Sequence, residues 1–125
     1  MLRFIAMVVA FGLTVGEGTA QSDPVRVVAT LPVYADLVEK IGGTQVDVSA
    51  IAAPNEDAHF VRPKPSFALS VRRADLFITT GLDLELWAPT VPERAGQRDV
   101  SEGGNGYVTP HTGTELPAGP PAPRR

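Results

Sequence analysis

The sequence predicts an α/β fold: a small parallel β-sheet with flanking helices. Three observations lead there. Short β-branched runs alternate with stretches of helical periodicity over residues 25–96, the pattern of β-α-β units with right-handed crossovers. The helix-like stretches carry their own punctuation, with Pro32 and Pro65 at openings and Gly42-Gly43 at a close. Finally, 125 residues with 43% hydrophobic and 20% charged side chains are one ordinary globular domain, not two.

Residues 1–20 read as a secretory signal peptide. Arg3 supplies the positive start, residues 4–15 (FIAMVVAFGLTV) form an uncharged apolar run, and Gly18-Thr19-Ala20 offers small residues for cleavage after Ala20. As a helix that run would be roughly 18 Å long, too short for a bilayer core of about 30 Å. The chain is therefore expected to be exported, and not to span the membrane once the leader is removed.

Residues 21–96 form the predicted domain. The run 25–31 (VRVVATL) is a buried strand, ended by Pro32. Tyr34, Leu37, Val38 and Ile41 recur at helical spacing and predict the core-facing side of a helix. Residues 46–52 (VDVSAIA) are a second strand, whose alternation with Asp47 and Ser49 predicts one less buried face. A polar loop with Pro54 and Pro63 follows. Pro65-Ser66 then opens a short helix through Phe67, Leu69, Ser70 and Arg73. Residues 75–80 (DLFITT) are a third strand ended by Gly81. Asp83 is placed to cap a helix carrying Leu84, Leu86 and Trp87, which Pro89 and Pro92 must kink or restart. Residues 97–125 have almost no apolar periodicity and concentrate glycine and proline, so they are expected to be an irregular, disordered tail. A three-stranded sheet has two exposed edges and is small for an independent core.

The composition excludes several functions. A net charge of −3 without a basic stripe argues against nucleic acid as a partner. The absence of cysteine excludes disulfides, cysteine zinc sites, iron–sulfur clusters and a lipid-anchored cysteine, leaving a soluble periplasmic form as the expectation. No G-x-G-x-x-G, phosphate loop or G-x-S-x-G is present, and the glycine-rich 102–106 follows no strand and precedes no Lys-Ser/Thr. No enzyme activity is expected, and catalytic and cofactor-binding residues are none.

Ligands of open parallel sheets gather outside the carboxyl ends of the strands. The loop after the second strand, at that edge, holds Asn55, Glu56, Asp57 and His59, whereas His111 falls in the tail. His59 is either a loop histidine without duty or a metal ligand. One histidine is not a site, since zinc sites use three or four protein ligands. Glu56 and Asp57 could add oxygens, or could merely be solvated. Tyr34 and Trp87 read as packing residues.

The residues taken together resemble a known family. Val28 to Val38 (VATLPVYADLV), then Ile41-Gly42-Gly43, then Val46-Asp47-Val48, are similar to the opening of the periplasmic zinc/manganese-binding receptors of ABC transporters. Asn55 to Ser66 (NEDAHFVRPKPS) resembles that family's G-x-D-P-H-x-Y-x-P-x-P-S segment, and Ala74 to Phe77 with Gly81 to Trp87 resembles the strand and helix that follow. Ala58 stands where the family has proline, and Asn55 where it has glycine.

The resemblance implies the N-terminal lobe of a two-lobed metal receptor. Such a receptor binds one zinc or manganese ion as transported cargo and hands it to a membrane permease. It implies that His59, at the position of the family's first ligand, is a metal ligand. The likeness covers residues 25–109 and stops beyond about Gly113, so the expectation is a truncated or frame-shifted receptor. The other ligands and the second lobe are not in this chain, which alone should bind metal weakly or not at all. The alternative is a stand-alone exported α/β interaction module that pairs through its sheet edge without metal.

Overall fold

Strand β1 (Val25–Ala29) is the axis on which the other elements are placed. The computed structural model describes residues 22–115 and 117; the leader expected over 1–20 lies outside the described residues, as do residues 118–125 of the expected tail. After β1, Pro32 takes the first turn of α1 (Pro32–Gly42), where a missing amide hydrogen is no loss. A 3-10 turn leads into β2 (Val46–Ala50). Proline opens α2 (Pro65–Val71) as well, and β3 (Leu76–Ile78), α3 (Thr90–Ala95) and β4 (Tyr107–Val108) complete the order. All pairings are parallel and the strand order is β2-β1-β3-β4. Val27 lies beside Val48 on one side and Leu76 on the other. The α/β class and parallel sheet read from the sequence are present, with one strand more than the sequence suggested.

The two faces of the sheet bury different sets. Val28 and Phe77 point to the α2/α3 side and pack with Val71, Trp87, Val91 and Val100. Val27, Ala29 and Ile78 point to the other side, under Tyr34, Ala35 and Val38 of α1. Apolar residues on both faces of β1 and β3 are what a parallel sheet covered on both sides requires. Among the described residues no helix is long and apolar enough to cross a membrane.

Three local expectations are corrected. First, α1 is rotated from the face read from its periodicity: Leu37 and Ile41 are 53% and 79% exposed. The helix seats Tyr34 and Val38 of that face together with its smallest side chains. Ala35 is buried, and Gly42 lies so close to β2 that a Cβ there would fall 2.4 Å from the Val46 side chain. Second, Asp83 caps no helix. It sits in a left-handed turn at φ 61, and the helix restarts after Pro89, with Pro92 in its first turn where no amide partner is needed.

Third, the tail expected to be irregular from residue 97 is built into the fold as far as β4. A 3-10 turn (Arg98–Val100) buries Val100, and the chain then doubles back on itself. Gly104 and Gly106 allow the return, because a Cβ at either would lie within 2.5 Å of a backbone oxygen of Asp99 or Asp75. Gly106 donates to the Asp99 carbonyl (2.7 Å) and accepts from the Phe77 amide (2.8 Å). Tyr107 then stacks on Phe77 at 5.9 Å, and burial holds its hydroxyl pKa above the ordinary value. Here glycine marks close backbone approach, not disorder.

An exposed pair closes the amino end of the sheet. Asp75 Oδ2 accepts from the Arg26 amide (2.8 Å) and lies 3.5 Å from its Nε. The Arg26 amide bond, more than the guanidinium charge, holds the Asp75 carboxyl below its ordinary pKa.

Two outcomes are expected. Phe77→Ala removes a fully buried ring and should cost about 3–5 kcal/mol in urea unfolding, whereas Ile41→Ala should change stability by less than about 0.5 kcal/mol. Because the folded-state pKa of Asp75 is lowered, its stabilisation is complete above the ordinary carboxyl value and is lost as pH falls through the lowered one. Asp75→Asn should therefore flatten the acid limb of the stability–pH curve; an unchanged limb would show that other carboxylates set it.

Candidate metal-binding site

The loop leaving β2 builds its own short scaffold at the carboxyl edge of the sheet. The Ala53 amide donates to Glu56 Oε2 at 3.1 Å, and the Glu56 amide returns a bond to the Ala53 carbonyl. Asp57 then caps a 3-10 turn, Ala58–Phe60. Its Oδ1 accepts from the His59 amide at 2.9 Å and lies 3.1 Å from the ring Nδ1. The amide bond is the main cause of a lowered Asp57 pKa, with the imidazole contact adding to it.

This pairing defines what His59 can do. A carboxylate accepts only, so the neutral ring places its proton on Nδ1 and leaves the Nε2 lone pair free. Metal-binding histidines are held in the same way, with one nitrogen tied to an acceptor and the other presented. The His59 side chain is 56% exposed, so the free nitrogen faces a region open to further ligands.

Of the carboxylates beside it, Asp57 bonds His59 through Oδ1, and Glu56 bonds the Ala53 amide through Oε2. Among the described residues no group of three or more His, Cys, Asp or Glu could hold a metal ion. The arrangement is one oriented imidazole, not a complete coordination sphere.

Several residues near this edge carry roles that the sequence did not disclose. His111 is ordered and half-buried, with Nδ1 3.1 Å from the Thr80 carbonyl, beside a cavity of about 470 Å³ that Tyr107 and Glu102 also line. Its place in the expected tail had hidden this. Tyr34 and Trp87 do pack, and each also makes a polar tie. The Tyr34 hydroxyl donates to Thr80 Oγ1 at 3.0 Å, and Trp87 Nε1 donates to the Ala58 carbonyl at 2.7 Å. Glu85 is buried, and nothing in the surrounding Leu84-Glu85-Leu86-Trp87 signals that the acid would point inward.

Known proteins resemble this chain. The model of the family described as periplasmic zinc-uptake complex component A, ZnuA, matches residues 27–117. A manganese-binding lipoprotein, MntA of Halalkalibacterium halodurans, is 29% identical over 103 residues, covering 82% of this chain and 34% of the relative. An iron ABC transporter substrate-binding lipoprotein, MtsA of Streptococcus pyogenes serotype M1, is 34% identical over 70 residues, covering 56% of this chain and 23% of the relative. The crystal structure of a zinc-bound ZnuA deletion mutant superposes with a TM-score of 0.55 at 28% identity, covering 60% of this chain and 29% of the other. The chain thus spans about a quarter to a third of the length of these relatives. Matched over most of its own length, it belongs to the ZnuA family, periplasmic component A of zinc-uptake complexes.

Proposed function

We propose that this chain is the front of the N-terminal lobe of a metal receptor serving an ABC importer. His59 is its first ligand, and zinc or manganese is its cargo. The observation that carries the reading is the Asp57–His59 pair, which in the neutral ring leaves the Nε2 lone pair unused at the carboxyl edge of a parallel sheet. Relatives named for manganese, iron and zinc support a divalent transition metal. An imidazole nitrogen suits zinc and its neighbours better than calcium or magnesium. The role is capture and delivery to a membrane permease, not catalysis.

By this reading the chain works outside the cytoplasm. The relatives are named as lipoproteins, whereas this sequence has no cysteine to carry a lipid. One oriented imidazole without its partner ligands supplies little affinity, so the 125-residue chain alone is a weak metal binder.

Zinc titration followed by histidine ring 15N shifts tests the reading. Zinc should move His59 Nε2, and His59→Ala should abolish that response. Asp57→Asn should weaken it by about tenfold or more, as loss of an orienting partner does. No zinc-dependent shift at His59 would remove the ligand assignment and leave the metal-free pairing module as the better description.

A further inference from the structure

We propose that Glu85 and Trp87 form a brace that positions the His59 loop on the sheet. They are positioning residues for metal capture, and this role rests on the reading of His59 as a ligand. The brace starts where β1 and β3 end side by side. From β1 the chain crosses to β2 on one flank and then back to β3 on the other, so these ends border the topological switch point. That crevice is the usual seat of a ligand in an open parallel sheet, and here the protein fills it with its own carboxylate.

Glu85 is 4% exposed and its oxygens take three donors. Oε1 accepts from the Thr30 hydroxyl (2.5 Å), and Oε2 from the Thr79 hydroxyl (2.9 Å) and the Thr80 amide (2.8 Å). One side chain thus ties the end of β1 to the end of β3. The preceding turn is strained: Gly81, Leu82 and Asp83 have φ of 73°, 55° and 61°, and two of them are not glycine. Such a conformation persists when its surroundings over-determine it. The bonds to Glu85 on one side and the buried Trp87 and Ala88 on the other supply that constraint.

From this anchor the brace reaches the site. A turn closed by the Ala88 amide on the Glu85 carbonyl (2.9 Å) fixes Trp87 relative to Glu85. The Trp87 indole then donates to the carbonyl of Ala58, the residue before His59. All other hydrogen bonds of residues 53–60 among the described residues stay within that stretch. The indole is therefore the one hydrogen-bonded tie that sets the ligand loop against the rigid strand ends. Coordination demands it, since a binding group must be held within about 0.5 Å of its productive place.

The test uses the full chain with Trp87→Phe, Glu85→Ala and Glu85→Gln. Phenylalanine keeps an aromatic ring in the core and lacks the donor. Without metal, Trp87→Phe should lower the 15N order parameters of residues 58–60 from about 0.85 to below about 0.6 while β1 and β3 stay rigid. The zinc-induced shift at His59 Nε2 should then need severalfold more zinc. Glu85→Ala should do the same. Glu85→Gln should restore both readouts, because its carbonyl oxygen can accept from Thr79 and Thr80 while its amide donates to the Thr30 oxygen. Unchanged order at 58–60 in Trp87→Phe would overturn the brace, as would an ordered loop in Glu85→Ala. If the parent chain shows no zinc response, the ligand reading fails, and the metal-free order parameters still decide whether the brace exists.

Discussion

A buried carboxylate at the meeting of β1 and β3 is the constraint on which the carboxyl edge depends. Burying an acid without partners is costly, so its donors must be in place together. They come from three points just past the ends of two strands, Thr30, Thr79 and Thr80. Among the described residues no buried side-chain nitrogen or oxygen lacks a partner. Glu85 lies where the end of β1, the end of β3 and the left-handed turn after Gly81 meet.

The sequence disclosed what local chemistry determines. Three strands were legible because β-branched runs favour extended chain, although β2, at the edge of the sheet, buries none of its residues. The openings of α1 and α2 were legible because proline is pre-shaped for a first turn. Tertiary contacts decided the rest. Periodicity placed Leu37 and Ile41 against the sheet, yet the small side chains of Ala35 and Gly42 allow a closer fit and won. β4 was hidden because its two residues have no pattern of their own, and its place comes from glycines that let two backbones touch.

The site divides in the same way. The sequence alone put His59 forward, from its place on the edge and from the motif around it. The role of Asp57 as its orienting acceptor became clear only with the geometry, since an acidic loop residue reads as solvated until its partner is seen. Glu85 gave no warning, because buried acids are rare and Leu-Glu-Leu-Trp resembles any amphipathic turn. A lone imidazole also leaves the choice of metal open. Selection needs the number and geometry of the ligands around it, and those depend on donors beyond His59.

The bond from Thr30 to Glu85 joins residues 55 apart, and that from Trp87 to Ala58 joins residues 29 apart. A polypeptide emerges from its amino end, so residue 59 leaves the ribosome well before the segment that fixes it. For that interval the nascent loop has its histidine and its aspartate, which can bond each other, but not the indole that bonds Ala58. Under the proposed brace, readiness to coordinate would be a late event in the life of the chain, timed by the arrival of a tryptophan nearly thirty residues downstream.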